Sequence, residues 1–92
     1  MSSEPVYLRW EHTAPPHRKF YEVDVQLSLF YPKVLVRRWG RIGSRRSRSL
    51  RIVVGDPDEL DRRVARIAAR RRTHGYHVVN ELHASAIRAS AA

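Results

Sequence analysis

The chain has 92 residues, 42% of them hydrophobic, no cysteine, and a formal net charge of +9. That length sets one domain with a single modest core, and the apolar content argues against wholesale disorder. The missing cysteines exclude a disulfide framework and a thiolate metal cluster, and no apolar run approaches the ~20 residues that span a bilayer.

In chain order, Met1-Ser2-Ser3-Glu4-Pro5 has neither the basic start nor the apolar middle of a secretion signal, so the expectation is an intracellular, cytoplasmic protein. Val6 to Trp10 reads as a first strand, with Val6, Leu8 and Trp10 on one face and Tyr7 and Arg9 on the other. Two prolines, Pro15 and Pro16, mark the loop that follows. Lys19 to Leu27 is the clearest strand: Tyr21, Val23, Val25 and Leu27 share one face, and Phe20, Glu22, Asp24 and Gln26 the wetter one. One buried and one solvated face favours antiparallel pairing. Ser28 to Pro32 is a connection whose aromatics, Phe30 and Tyr31, are expected to be exposed.

Lys33 to Arg38 is a third strand, pairing across a turn near Gly43-Ser44-Arg45-Arg46 with a fourth, Arg48 to Val54, whose apolar face is Leu50, Ile52 and Val54. A helix over about 57–73 follows. Asp56 suits the N-cap, Pro57 the first helical position, and Glu59 the capping-box spacing. Leu60, Val64, Ile67, Ala68 and the stem of Arg71 form one core-facing stripe. Acids gather at its start and arginines at its end, as the helix dipole favours, and Gly75 closes it in a left-handed cap. Tyr76 to Val79 suits a last strand. From Asn80 the chain turns Ala/Ser-rich, so the expected organisation is one domain over 1–79 and a weakly structured tail over 80–92.

The charge is unevenly spread. Residues 1–36 balance four bases against four acids, and residues 56–92 carry a small excess. Residues 37–55 hold seven arginines and no acid. Such a segment points to a polyanionic partner, with a solvated basic face as the plainer alternative. Within it stands Arg37-Arg38-Trp39-Gly40-Arg41-Ile42-Gly43-Ser44. Arginine offers a planar fork of donors suited to phosphate, tryptophan a broad face for stacking on a base, and glycine a backbone that a partner can approach closely.

Lys19-Phe20-Tyr21-Glu22-Val23 followed by Arg38-Trp39-Gly40-Arg41-Ile42-Gly43, with the Asp-capped helix and Gly75-Tyr76, resembles the WGR domain over roughly residues 5–79. That domain occurs in DNA-damage-responsive poly(ADP-ribose) polymerases and in bacterial proteins, some of them stand-alone. The resemblance implies an α+β fold, an antiparallel sheet of four to five strands with one helix packed on it. It also implies strand-end stacking by Trp39, close backbone approach at Gly40 and, for Arg41, phosphate contact or the interdomain contact its counterpart makes in the polymerases. The turn after the motif departs from the family's usual Gly-Gln type pair, with Arg45-Arg46-Ser47 in its place. The ADP-ribosylating activity of the polymerases does not carry over, since no catalytic domain accompanies the motif.

Arg38, Arg41, Arg45, Arg46 and Arg48 are the candidate phosphate contacts, joined by Lys19 through its place beside Phe20. About six such contacts predict a log–log salt slope near −5, or a roughly thousandfold loss of affinity between about 50 and 200 mM salt. For Trp39 the competing reading is a core tryptophan at a strand end; Trp10, alternating with Val6 and Leu8, reads as core.

Catalysis and metal binding find little support. His74 and His77 lie three apart, but Gly75 breaks the helix that would align them. There is no cysteine nucleophile and no serine with a plausible His–acid pair. Four of the nine acids fall at the start of the helix, leaving no pair of pocket carboxylates. The expected function is therefore a non-enzymatic nucleic-acid-binding module without cofactor or metal. Its expected partner is DNA, with RNA the other candidate because backbone contacts serve both. The alternative is a protein-interaction module using the basic patch, Phe30 and Tyr31.

Overall fold

The computed structural model describes residues 5–26, 28 and 30–83. Five strands, β1 (Pro5–His12), β2 (Lys19–Val25), β3 (Lys33–Arg41), β4 (Ser47–Val54) and β5 (His77–His83), form one antiparallel sheet in the order β4-β3-β2-β1-β5. One helix, α1 (Pro57–Thr73), joins β4 to β5. The α+β class follows from this arrangement. Among the described residues, no helix is long and apolar enough to cross a membrane.

Strand alternation sorts the sheet into two faces. Leu8 and Trp10 of β1, Tyr21, Val23 and Val25 of β2, Leu35 of β3 and Val54 of β4 share the face that α1 covers with Leu60 and Ile67. Val23, Leu35, Val54 and Leu60 are wholly buried. Removing side-chain bulk there, as in Leu35→Ala, costs about 2–5 kcal/mol in comparable cores.

The helix ends as its sequence requires. The Glu59 N–H donates to Asp56 Oδ1 at 2.8 Å, and the Glu59 carboxylate accepts from the Gly55 N–H at 2.9 Å, one residue before the cap. That Gly55 hydrogen bond, followed by the one from Arg63, lowers the Glu59 pKa below its ordinary value. At the far end the Tyr76 N–H reaches Arg71 O at 2.9 Å while Gly75 turns at φ +87°.

Several expectations are revised. Phe20, placed on the wetter face by alternation, is buried there because the Arg9 guanidinium lies 4.6 Å from its ring centroid and covers it. Tyr31 packs against the core with Lys33 Nζ 4.8 Å from its ring, leaving only Phe30, 77% accessible, as an exposed aromatic of that loop. Leu50 is 46% exposed, since β4 is an edge strand and the helix covers only its Val54 end. The third strand runs on through the motif to Arg41, and the last strand to His83, so Asn80–His83 belong to the sheet and not to a tail. The expected core position Leu27 and the rest of the expected tail, residues 84–92, lie outside the described residues.

Candidate nucleic-acid interface

Antiparallel pairing of β2 with β3 brings Lys19 opposite Arg41, Phe20 opposite Gly40 and Tyr21 opposite Trp39. On the other side, β4 sets Arg48 opposite Trp39 and Ser47 opposite Gly40. Trp39 therefore sits in a cross-strand row between Tyr21 and Arg48. Its indole is half-buried and stacks on Tyr21, with centroids 5.8 Å apart and planes 13° from parallel.

Two cations brace this stack. Arg37 donates through Nε to the Tyr21 hydroxyl, and its guanidinium lies 5.9 Å from the Trp39 ring. Arg71 reaches from the last turn of α1 to 4.1 Å from the Tyr21 ring and 5.2 Å from Tyr76. Its Nε is buried with no hydrogen-bond partner among the described residues, and the guanidinium lies against these two aromatic faces, which favour its charge.

Gly40 sits in close quarters. A Cβ on it would stand 3.2 Å from Arg46 O, a tight approach to backbone, and at ordinary contact, 3.4 Å, from Phe20 Cε1. The bare backbone at Gly40 separates two clefts, each with Trp39 in its wall. One cleft, of about 650 Å3, is lined by Arg45, Arg46, Ser47 and Arg48. The other, of about 560 Å3, is lined by His17, Arg18, Lys19 and Arg41, with Phe20 and Tyr76 behind them. The loop carrying Arg18 is tied to the end of β3 by the Ile42 N–H to Arg18 O bond at 2.9 Å. The opposite turn is held by Ser44 N–H to Arg41 O at 3.2 Å and Arg46 N–H to Ser44 Oγ at 3.1 Å.

Neither cleft is lined by an acid, and none of Arg18, Lys19, Arg41, Arg45, Arg46 or Arg48 pairs with an acid among the described residues. Lys19 opposite Arg41 is a like-charge cross-strand pair, which disfavours the free state. An anion would relieve it.

Most of the candidate residues thus converge: Trp39, Gly40, Arg41, Arg45, Arg46, Arg48 and Lys19. Arg38 does not. It points to the opposite face of the sheet, where its Nη1 lies 3.7 Å from Glu22 Oε1. Glu22 there also meets Arg9 Nη1 at 3.5 Å and accepts from the Tyr7 hydroxyl. Burial, then that hydrogen bond, raises the Tyr7 pKa. Arg18 also lines the second cleft, although it belongs to the charge-balanced segment 1–36; its place two residues after Pro15-Pro16, leading into β2, is the sequence signal for it.

Beside the second cleft, His12 stacks on His17 at 4.3 Å and lies 5.6 Å from Tyr76. Among the described residues, no three His, Asp or Glu side chains converge to hold a metal ion.

A family model of the WGR domain matches residues 4–82, nearly the whole chain. This chain belongs to the WGR domain family. No curated protein and no solved structure matches it. WGR domains are nucleic-acid-binding modules, built for binding rather than for catalysis. The triplet that names them is Trp39-Gly40-Arg41 at the end of β3, and the matched region takes in β5 through Leu82.

Proposed function

We propose that this WGR domain is a non-enzymatic DNA-binding module that grips phosphates with its cationic clefts and stacks Trp39 on an end base. The observation that carries the reading is Trp39 standing between two clefts whose cations have no acidic partner among the described residues. Uncompensated arginines beside a stackable indole suit a ligand with both phosphates and bases. Trp39, Gly40, Arg41, Arg45, Arg46, Arg48, Lys19 and Arg18 form the contact surface, and Arg38, facing Glu22, lies outside it. DNA is the proposed partner, and the bacterial cytoplasm and its nucleoid the proposed setting.

Titration into a blunt duplex, a nicked duplex and a covalently closed circle, each across a salt series, tests this. Six phosphate contacts give a log–log slope near −5, and tighter binding to blunt and nicked DNA than to the circle supports end stacking. Equal affinity for all three removes the end preference. No binding at about 50 mM salt, where phosphate contacts are strongest, removes DNA altogether.

A second reading has one observation of its own. Edge strand β5 exposes Val78, Val79 and Leu82, each more than two-fifths accessible, and carries no arginine. An apolar edge of this kind suits a protein partner.

A further inference from the structure

The basic surface is divided in two. Arg45, Arg46 and Arg48 line one cleft, Arg18, Lys19 and Arg41 the other, and Trp39 with Gly40 forms the wall they share. The two clefts are similar in size, and each is built on a separately tied loop. A single backbone following one of them leaves the other three cations uncompensated. Two backbones parting at the wall would satisfy both sets.

Nucleic acid offers that geometry where paired strands separate. The last base pair presents a flat face for an aromatic side chain, and the strands beyond it take different paths. From the juxtaposition of one aromatic wall and two acid-free clefts, we propose that the preferred ligand of this site is a forked duplex. Trp39 rests against the last base pair and one strand lies in each cleft. The proposal builds on the nucleic-acid reading above and narrows its ligand.

Gly40 suits the dividing position because its bare backbone lets a strand in either cleft approach closely, and a Cβ there would crowd Arg46 O at 3.2 Å. The stacking of Trp39 on Tyr21, braced by Arg37 and Arg71, holds the wall in place before any ligand arrives. Binding then loses little to ordering of the site.

The test uses the full chain and three labelled DNA probes: a duplex with two non-complementary arms, a blunt duplex of the same paired length, and a single strand of the same total length. Anisotropy titrations at about 100 mM salt should give at least tenfold tighter binding to the fork than to either other probe. Arg18→Ala with Lys19→Ala, and separately Arg45→Ala with Arg46→Ala, should each abolish that advantage and lower the log–log salt slope on the fork by about 1.4. All four side chains are exposed and removing them eases like-charge repulsion, so these variants should melt no lower than the parent. Equal affinity for fork and blunt duplex overturns the fork and leaves nucleic-acid binding intact. Tighter binding to the single strand than to the fork overturns it in favour of one chain bending around Trp39. A double variant that weakens all three probes equally overturns the assignment of one strand to each cleft. Failure to bind any probe at about 50 mM salt overturns the underlying reading as well.

Discussion

One face of the Trp39 indole lies on Tyr21, and the residue lines both clefts. The residue therefore contributes to the packing of β2 on β3 as well as to binding. Trp39→Ala should lower affinity for a blunt duplex by about 1–3 kcal/mol with the salt slope unchanged. It should also lower the melting temperature, because the indole is half-buried against the core cluster. Anisotropy across salt, paired with calorimetry, separates the two effects. A changed slope would mean that the indole also positions the arginines. Among those arginines, position along the strand matters less than the face on which each emerges. Arg41 lines a cleft, whereas Arg38, three residues earlier, faces Glu22. Arg41→Ala should reduce the salt slope by about one, and Arg38→Ala should leave it unchanged. Equal reductions in the two variants would contradict the division of the sheet into two faces.

At the scale of elements, the helix is stabilised mainly at its ends and along one stripe. Asp56 accepts the Glu59 N–H, and Asp56→Ala should cost about 1 kcal/mol of unfolding free energy in denaturant titrations, with DNA affinity at the remote end of the sheet unaffected. The histidine stack between the β1–β2 loop and Tyr76 behaves differently. His12 has its pKa lowered, first by desolvation and then by His17, Lys19 and His77. Above its ordinary value of 6.5 the imidazole is neutral in folded and unfolded chain alike, and the fold keeps its full stability. As pH falls below that value the unfolded chain takes the proton first, so stability declines until the folded pKa is passed. Melting temperatures measured between about pH 7.5 and pH 5 should fall on acidification, and His12→Gln should flatten that fall. An unchanged acid profile in the variant would assign the dependence to other groups. Gly75 permits the stack: a Cβ there would meet His12 Nε2 at 3.0 Å.

Over the whole molecule, cationic and apolar surface is unevenly spread. One end of the sheet gathers six cations around Trp39 that pair with no acid among the described residues, while the β5 edge exposes valine and leucine without an arginine. The repulsion at the cationic end is a standing cost that an anionic ligand removes, so ligand binding should also stabilise the fold. Addition of a short DNA duplex at low salt should raise the melting temperature, and about 0.2 M salt should suppress most of that rise. A rise that survives such salt would point to contacts other than phosphate.

Much of this was legible in local pattern. The helix limits, both helix caps, the alternation of β1 and β2 and the arginine-rich segment around Trp39 depend on residues a few positions apart, where periodicity and capping chemistry act directly. The family resemblance rested on the same short motifs. Tertiary structure decided what depends on partners distant in the chain. Register placed Lys19 against Arg41 and brought the Arg18 loop beside them, although charge counted along the chain left Arg18 in a neutral segment. The pleat turned Arg38 away from Trp39, and the cover of Arg9 buried Phe20 on the face expected to be wet. The reason is physical: local sequence sets which elements form and which way they alternate, while the composition of a site is set by which strand ends the sheet brings together. The sequence by itself determined a basic WGR domain with its tryptophan in view, and only the folded sheet divided its cations into two clefts.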